Sequence, residues 1–135
     1  MITAEIVTKA QFYDVDSMQV VWHGNYPRFL EQARCALLDR IGFNYREMAA
    51  TRYAWPIVDM RIKYVRPIRL AQEIRVVATL LEFENRLRIR YRIADVASGE
   101  ILTKAETIQV AVDMTSQEIQ FVSPPELLEK VRPLL

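Results

Sequence analysis

Residues 26–42, YPRFLEQARCALLDRIG, carry a long helical pattern. Pro27 fits only the first turn of a helix, where its missing N–H has no intrahelical partner, and Gly42 is typical of the left-handed residue that ends one. Ala36 and Leu38 widen the apolar face, so we predict a long helix that other elements cover deeply. The apolar side chains recur every three or four residues, which places on one face Tyr26, Phe29, Leu30, Ala33, Leu37 and Ile41.

Strand patterns dominate the rest of the chain. In 86–93, arginines alternate with Leu87, Ile89, Tyr91 and Ile93, which predicts one solvated and one buried face of a strand. A helical turn over 43–51 and a short helix after Pro124-Pro125 are also expected. We predict the other strands, separated by turns such as Glu84-Asn85 and Ser98-Gly99, over residues 2–13, 58–64, 74–80 and 101–113.

The order of these elements indicates the fold class. A helix that precedes most of the strands predicts an α+β fold, in which an antiparallel sheet wraps across that helix. An antiparallel sheet leaves edge strands that need protection, and self-association into a homodimer or homotetramer would provide it.

Composition limits the possible functions. The chain has 135 residues, 51% apolar and 26% charged, as expected for a single packed domain spanning 1–135. Its net charge of +1 argues against a nucleic-acid partner. Neither a secretion signal nor an apolar run long enough to span a membrane is apparent, so we expect a cytoplasmic protein. With Cys35 the only cysteine and His23 the only histidine, no metal site is predicted.

Residues 12–34, FYDVDSMQVVWHGNYPRFLEQAR, closely resemble the signature of the 4-hydroxybenzoyl-CoA thioesterase family, including its acyl-CoA branch linked to the Tol-Pal system. The family pattern is Asp-x-Asp, two residues, Gly-x-Val, two or three residues, Asn-Tyr and a helix that ends in Ala-Arg. Residues 64–67, YVRP, resemble the family's Tyr-x-x-Pro motif, so the resemblance covers most of the chain.

The resemblance implies a hot-dog fold, an antiparallel sheet wrapped around a long central helix, with active sites at a dimer interface. It also implies an acyl-CoA thioesterase that needs no cofactor, since coenzyme A is part of the substrate. Asp16 takes the place of the family's essential carboxylate. The backbone N–H of His23 takes that of the donor to the thioester carbonyl oxygen.

This chemistry also makes sense from the residues themselves. Thioester hydrolysis builds negative charge on the carbonyl oxygen, and free N–H groups at a helix start can stabilise that charge. A carboxylate on the other side can activate water as a general base or attack as a nucleophile. The sequence does not choose between these two routes. A serine hydrolase is not expected, because the chain lacks a G-x-S-x-G motif.

Structural roles compete with the functional ones. Aspartates often cap turns and helices, and we assign that role to Asp14 while keeping Asp16 as catalytic. The His23 imidazole either contacts substrate or is an ordinary loop side chain. The alternating arginines either bind coenzyme A phosphates or form a solvated face, and the resemblance favours Arg86. The predicted substrate-binding residues, of which the first two also suit a loop-fixing role, are Asn25, Tyr26, Val58, Arg86 and Arg88.

Three departures from the family pattern leave the substrate open. Gln19 stands where the family has glycine, and Phe12 where the Tol-Pal branch often has tyrosine. Glu84 and Asn85 occupy positions that are basic in the 4-hydroxybenzoyl-CoA enzyme. An acyl carrier protein is therefore a credible alternative donor, and a non-catalytic module that binds acyl groups or acyl carrier protein is the alternative function.

Overall fold

The computed structural model describes residues 1–135. Short 3-10 turns cover Phe12–Asp14, His23–Asn25 and Arg132–Leu134. The helices are α1 (Tyr26–Ile41), α2 (Tyr45–Ala49) and α3 (Pro125–Val131). The strands are β1 (Thr3–Lys9), β2 (Tyr53–Ala54), β3 (Ile57–Tyr64), β4 (Glu73–Glu82), β5 (Leu87–Asp95), β6 (Ile101–Gln109) and β7 (Val112–Asp113).

Five strands form one antiparallel sheet in the order β1-β4-β5-β6-β3, and α1 packs across it on β1, β4 and β5. The central strand β5 shows the predicted alternation, since Leu87, Ile89, Tyr91 and Ile93 are fully buried. The predicted α+β arrangement of one sheet around one long helix is confirmed. No helix of the chain is long and apolar enough to cross a membrane.

The central helix follows its sequence pattern closely. Phe29, Leu30, Ala33 and Leu37 have no exposed surface, so α1 fills the concave side of the sheet. Burying a leucine or phenylalanine side chain contributes roughly 1.5–3 kcal/mol, which makes this face a main source of stability. Gly42 ends the helix with a φ of 81°, where its N–H donates to carbonyls of the last turn.

Two predicted strands are shorter than expected. The first ends at Lys9 rather than near residue 13, because the Gln11 N–H donates to the Asp14 carboxylate at 2.8 Å and starts a 3-10 turn. The last ends at Gln109, which pairs with the first residues of its antiparallel neighbours, Ile57 of β3 and Leu87 of β5. Val112 and Asp113 pair instead with β2, away from the main sheet.

Candidate active site

Asp14 holds together the loop that precedes α1. Its side chain is buried and accepts hydrogen bonds from the Gln11 N–H and from Arg28, at 3.1 Å from Nε and 2.5 Å from Nη2. Its carbonyl oxygen accepts from the Trp22 N–H at 3.0 Å and from the Asn25 amide at 2.9 Å. Asp14 therefore occupies the structural place expected of it, and Asn25 directs its amide into the same loop.

Asp16 is placed differently from Asp14. It is partly exposed, and one carboxylate oxygen, Oδ1, accepts from the Met18 N–H at 2.8 Å. The other oxygen, Oδ2, has no hydrogen-bond partner in the chain and is free for a water molecule or a substrate. The backbone of Asp16 closes a tight turn, with hydrogen bonds of 3.0 Å to Val20 and 2.9 Å to Gln19.

The backbone conformation at Gln19 explains why the family pattern has glycine at this position. Its φ is 62°, in the left-handed region that glycine adopts without strain and other residues adopt at a cost of about 1–2 kcal/mol. The chain therefore keeps the turn despite the substitution. The Gln19 side chain is exposed and lies with Asp16 along a depression of about 390 Å³ that Phe12 also borders.

The turn His23–Asn25 leads directly into α1 and offers unpaired backbone donors. Neither the His23 N–H nor the Gly24 N–H donates to any acceptor within the chain. The His23 carbonyl oxygen accepts a hydrogen bond of 2.8 Å from the Tyr64 hydroxyl. A Cβ atom at Gly24 would overlap the indole ring of Trp22, so a larger residue there would displace this half-exposed ring. The exposed imidazole of His23 rests against the same indole, with ring centroids 5.1 Å apart.

Asp16 and His23 line the same cleft, which has a volume of about 310 Å³. Tyr26 and Tyr64 form part of its wall, with their rings in edge contact at 4.6 Å. Burial raises the pKa of the Tyr26 phenol above its ordinary value. The residue with the partly free carboxylate and the residue with the free backbone N–H thus line one cavity, and these are the two groups that activation of water and stabilisation of an oxyanion require.

Four of the five predicted binding residues do not line this cleft in the single chain. Asn25 directs its amide to the Asp14 carbonyl instead. Val58 is exposed on the edge strand β3. Arg86 donates from Nε to Glu82 at 3.0 Å, and Arg88 makes a two-pronged contact of 2.5 and 3.2 Å with Glu106. The hydrogen bond that Arg88 donates to the Glu106 carboxylate raises the pKa of its guanidinium. Both arginines already have carboxylate partners, so a phosphate would have to compete for them.

A second cleft contains the aromatic residues after the central helix. Tyr45, Tyr53 and Trp55 line a wholly apolar depression of about 310 Å³ together with Met48 and Met114. It shares no residue with the cleft of Asp16 and His23. Within one chain, these aromatic residues are therefore separate from the candidate catalytic groups.

Tyr64 is a site residue that the sequence interpretation did not select. It lines the cleft, and its hydroxyl reaches the turn of the candidate oxyanion donor. The signal that could have found it was the Tyr-x-x-Pro motif of residues 64–67. Its last residues, Arg66 and Pro67, border the cleft as well.

Comparison with known proteins identifies the family. A model described as the Thioesterase-like superfamily matches residues 10–131. YneP of Bacillus subtilis, provisionally named an acyl-CoA thioesterase, is 34% identical over 84% of this chain and 83% of its own. The acyl-CoA thioester hydrolase YbgC of Escherichia coli is 28% identical over 78% of each chain. The chain belongs to the Thioesterase-like superfamily.

Solved structures agree on the fold. The 1,4-dihydroxy-2-naphthoyl-CoA thioesterase Slr0204 from Synechocystis superposes with a TM-score of 0.86 at 18% identity, covering 98% of this chain and 97% of its own. The predicted hot-dog fold is confirmed, and so is the predicted class of enzyme, a thioester hydrolase.

Proposed function

We propose that this chain hydrolyses acyl-CoA to a free acid and coenzyme A, with Asp16 as general base or nucleophile and the His23 N–H as oxyanion donor. One observation carries the proposal: Asp16, whose Oδ2 has no partner in the chain, and His23, whose N–H is unpaired, line one cleft. Within the superfamily, residues 12–34 favour the 4-hydroxybenzoyl-CoA thioesterase family and its Tol-Pal-linked branch.

In the general-base route, the Asp16 carboxylate takes a proton from water while the water oxygen bonds to the thioester carbon. The carbonyl oxygen becomes an anion and accepts a hydrogen bond from the His23 N–H. Loss of one such donor slows related reactions by about 100- to 1,000-fold. Collapse of the tetrahedral species breaks the carbon–sulfur bond, and the proton held by Asp16 passes to the leaving thiolate.

In the nucleophilic route, an Asp16 oxygen bonds to the thioester carbon and expels the thiolate, which leaves a mixed anhydride that water then cleaves. Label that appears on Asp16 after one turnover in ¹⁸O-labelled water, detected by mass spectrometry of the protein, would identify the nucleophilic route. Water that cleaves the anhydride at the Asp16 carbonyl leaves label on that residue, whereas the general base gains none.

Coenzyme A is proposed as the carrier of the acyl group because the relatives YneP and YbgC are both named for acyl-CoA. Tyr26 is already in the cleft wall, and Asn25 supports the loop beneath it. Arg86 and Arg88 would release their ion pairs with Glu82 and Glu106 and bind coenzyme A phosphates instead. Val58 would contact the substrate from the edge of the sheet. An acyl carrier protein remains the second candidate donor.

We propose further that the active enzyme is a cytoplasmic homodimer or homotetramer that uses no cofactor. Large apolar side chains surround the cleft, and Phe12, Tyr13 and Met18 are more than 70% exposed. Such exposure is uncommon on a lone domain and favours association between copies. Cys35 is a free thiol, as is usual in reducing compartments.

Asp16→Asn tests the assignment. The amide oxygen still accepts the Met18 N–H, so the turn is kept, but the side chain can neither take a proton nor attack. With octanoyl-CoA and a thiol-release assay, turnover should fall by at least about 1,000-fold at an unchanged melting temperature. The matched control is Asp59→Asn, on exposed strand β3, which should keep wild-type turnover. Near-normal turnover of the Asp16 variant would refute the role.

The alternative function, a non-catalytic binding module, makes the opposite prediction. The strained Gln19 and the occupied arginines favour it. Two results together would support the module over the enzyme. Calorimetry would show that octanoyl-CoA binds, and no thiol would be released from acyl-CoA with short, long or aromatic acyl groups.

A further inference from the structure

The outer face of the sheet carries a row of cations without ion-pair partners. Lys63 of β3 lies opposite Lys104 of β6, which lies opposite Arg92 of β5. Arg90 is two residues from Arg92 and projects from the same face of β5. None of these four has a carboxylate within ion-pair distance, unlike Arg61, Arg86 and Arg88 nearby. We call Lys63, Arg90, Arg92 and Lys104 the basic face.

This arrangement weakens the sheet. Like charges that face each other directly on neighbouring strands are destabilising, and here three stand in line. Glu106 lies opposite Arg90 and borders the same depression, but both prongs of Arg88 hold its carboxylate. Burial and the neighbouring Arg90 lower the pKa of Arg92. The neighbouring carboxylates Asp59, Glu82 and Glu106 each pair with another arginine, Arg61, Arg86 and Arg88. The four cations of the basic face are therefore left in excess, which points to an external anion.

The shape and sign of the basic face narrow down the partner. A second copy of the chain cannot dock there with the same face, because the two positive rows would repel each other. The depression between these side chains is shallow, with a volume of about 280 Å³, and does not enclose a small molecule. A partner with several negative charges spread over a surface suits it better.

An acidic helix matches the spacing. Strands lie about 4.8 Å apart, so Lys63 and Arg92 are separated by about 10 Å across the sheet. Carboxylates on successive turns of a helix are about 5.4 Å apart along its axis, and two turns cover the same distance. Lys63 and the cleft residue Tyr64 are neighbours at one end of β3 but project from opposite faces of the sheet. A protein bound to the basic face would therefore pass its acyl group around this edge strand to reach the cleft.

We propose that the basic face is the docking surface for an acidic, helical carrier protein that presents its acyl thioester to the cleft. This inference rests on the proposed thioesterase function. It gives acyl carrier protein, the second candidate source of the acyl group, its own binding surface. That surface is separate from Arg86 and Arg88, which pair with Glu82 and Glu106.

The test compares one acyl group on three donors. The variant Lys63→Glu/Arg92→Glu leaves Lys104 between two acids, which relieves the repulsion and should preserve folding. The control Arg46→Glu/Lys130→Glu makes the same change in net charge on α2 and α3. Each protein is assayed with octanoyl acyl carrier protein, octanoyl-CoA and the uncharged octanoyl-N-acetylcysteamine. We expect kcat/KM for the carrier substrate to fall at least about tenfold in the variant alone, and to change less than about twofold for the other donors.

Wild-type turnover of octanoyl-CoA tests the proposed hydrolase function on its own. The following results would instead reject the proposal that the basic face binds a carrier protein. An equal loss on carrier protein and coenzyme A would assign the basic face to phosphates. An equal loss on all three donors would indicate damage to the cleft. No loss, or no wild-type turnover of the carrier substrate, would reject a carrier partner. Unchanged carrier turnover with variant-sensitive binding to phosphatidylglycerol vesicles would assign the face to a membrane surface.

Discussion

The Tyr64 hydroxyl donates a hydrogen bond of 2.8 Å to the His23 carbonyl oxygen, which joins the end of β3 to the turn before α1. The bonded carbonyl belongs to the peptide that carries the free N–H of Gly24, next to the free N–H of His23. The bond therefore fixes the orientation of the turn that presents both donors. Strand β3 thus acts on the candidate oxyanion site through a side chain, without a backbone pairing.

Tyr64→Phe should impair the chemical step rather than binding. Removing the hydroxyl frees the His23 turn, so the donor is less well aligned with the developing oxyanion. We expect kcat with octanoyl-CoA to fall by about tenfold and KM to stay within about twofold. Tyr13→Phe, at an exposed residue whose hydroxyl makes no hydrogen bond, is the control. A rise in KM at constant kcat would show that Tyr64 only shapes the binding surface.

Asp14→Asn should separate structure from catalysis in the Asp-x-Asp pair. The buried carboxylate accepts from Arg28 and the Gln11 N–H, and an amide would turn a donor toward one of them. We expect the free energy of unfolding to fall by about 3 kcal/mol, measured by urea denaturation. Asp16→Asn should leave it unchanged. Equal stability of the two variants would contradict the structural role of Asp14.

Gln19→Gly should stabilise the fold. Glycine removes the strain of a φ of 62°, although the unfolded chain gains some entropy, so we expect a net gain of about 0.5–1 kcal/mol in chemical denaturation. The same change at Gln32, an exposed position inside α1, should cost about 1 kcal/mol instead. Loss of stability at both positions would mean that the turn does not depend on the left-handed conformation.

Asp113 should make the protein sensitive to acid. Hydrogen bonds from the backbone N–H groups of Thr115 and Ser116, and then from Arg52, hold its pKa below the ordinary value. The folded state thus binds its proton less readily than the unfolded chain. The resulting stability is present above about pH 4, the unfolded value, and is lost as pH falls through the lower folded value.

Asp113→Asn removes this dependence. Urea midpoints at pH 7 and pH 3 should differ less for the variant than for the wild type, and the variant should be the less stable protein at pH 7. An identical drop in both proteins would assign the acid sensitivity to other carboxylates.

The amino-acid sequence by itself determined the central helix, the alternation of β5 and the order of the elements. Those patterns have periods of 3.6 and 2 residues, so the periodicity within a short window contains the information. The left-handed residue at Gly42 was also predictable, because its chemistry is local. Asp16 and the His23 N–H were selected by the resemblance of residues 12–34 to a known family signature, since on their own these residue types suit turns and caps equally well.

Tertiary structure alone decided where β6 ends, which partners Arg86 and Arg88 have, and that Tyr64 reaches His23. Those features join residues far apart in the chain, and they depend on sheet register and loop paths that no local window contains. The row Lys63, Lys104 and Arg92 belongs to the same group: three separate strands each look ordinary, and only their pairing brings the three charges side by side.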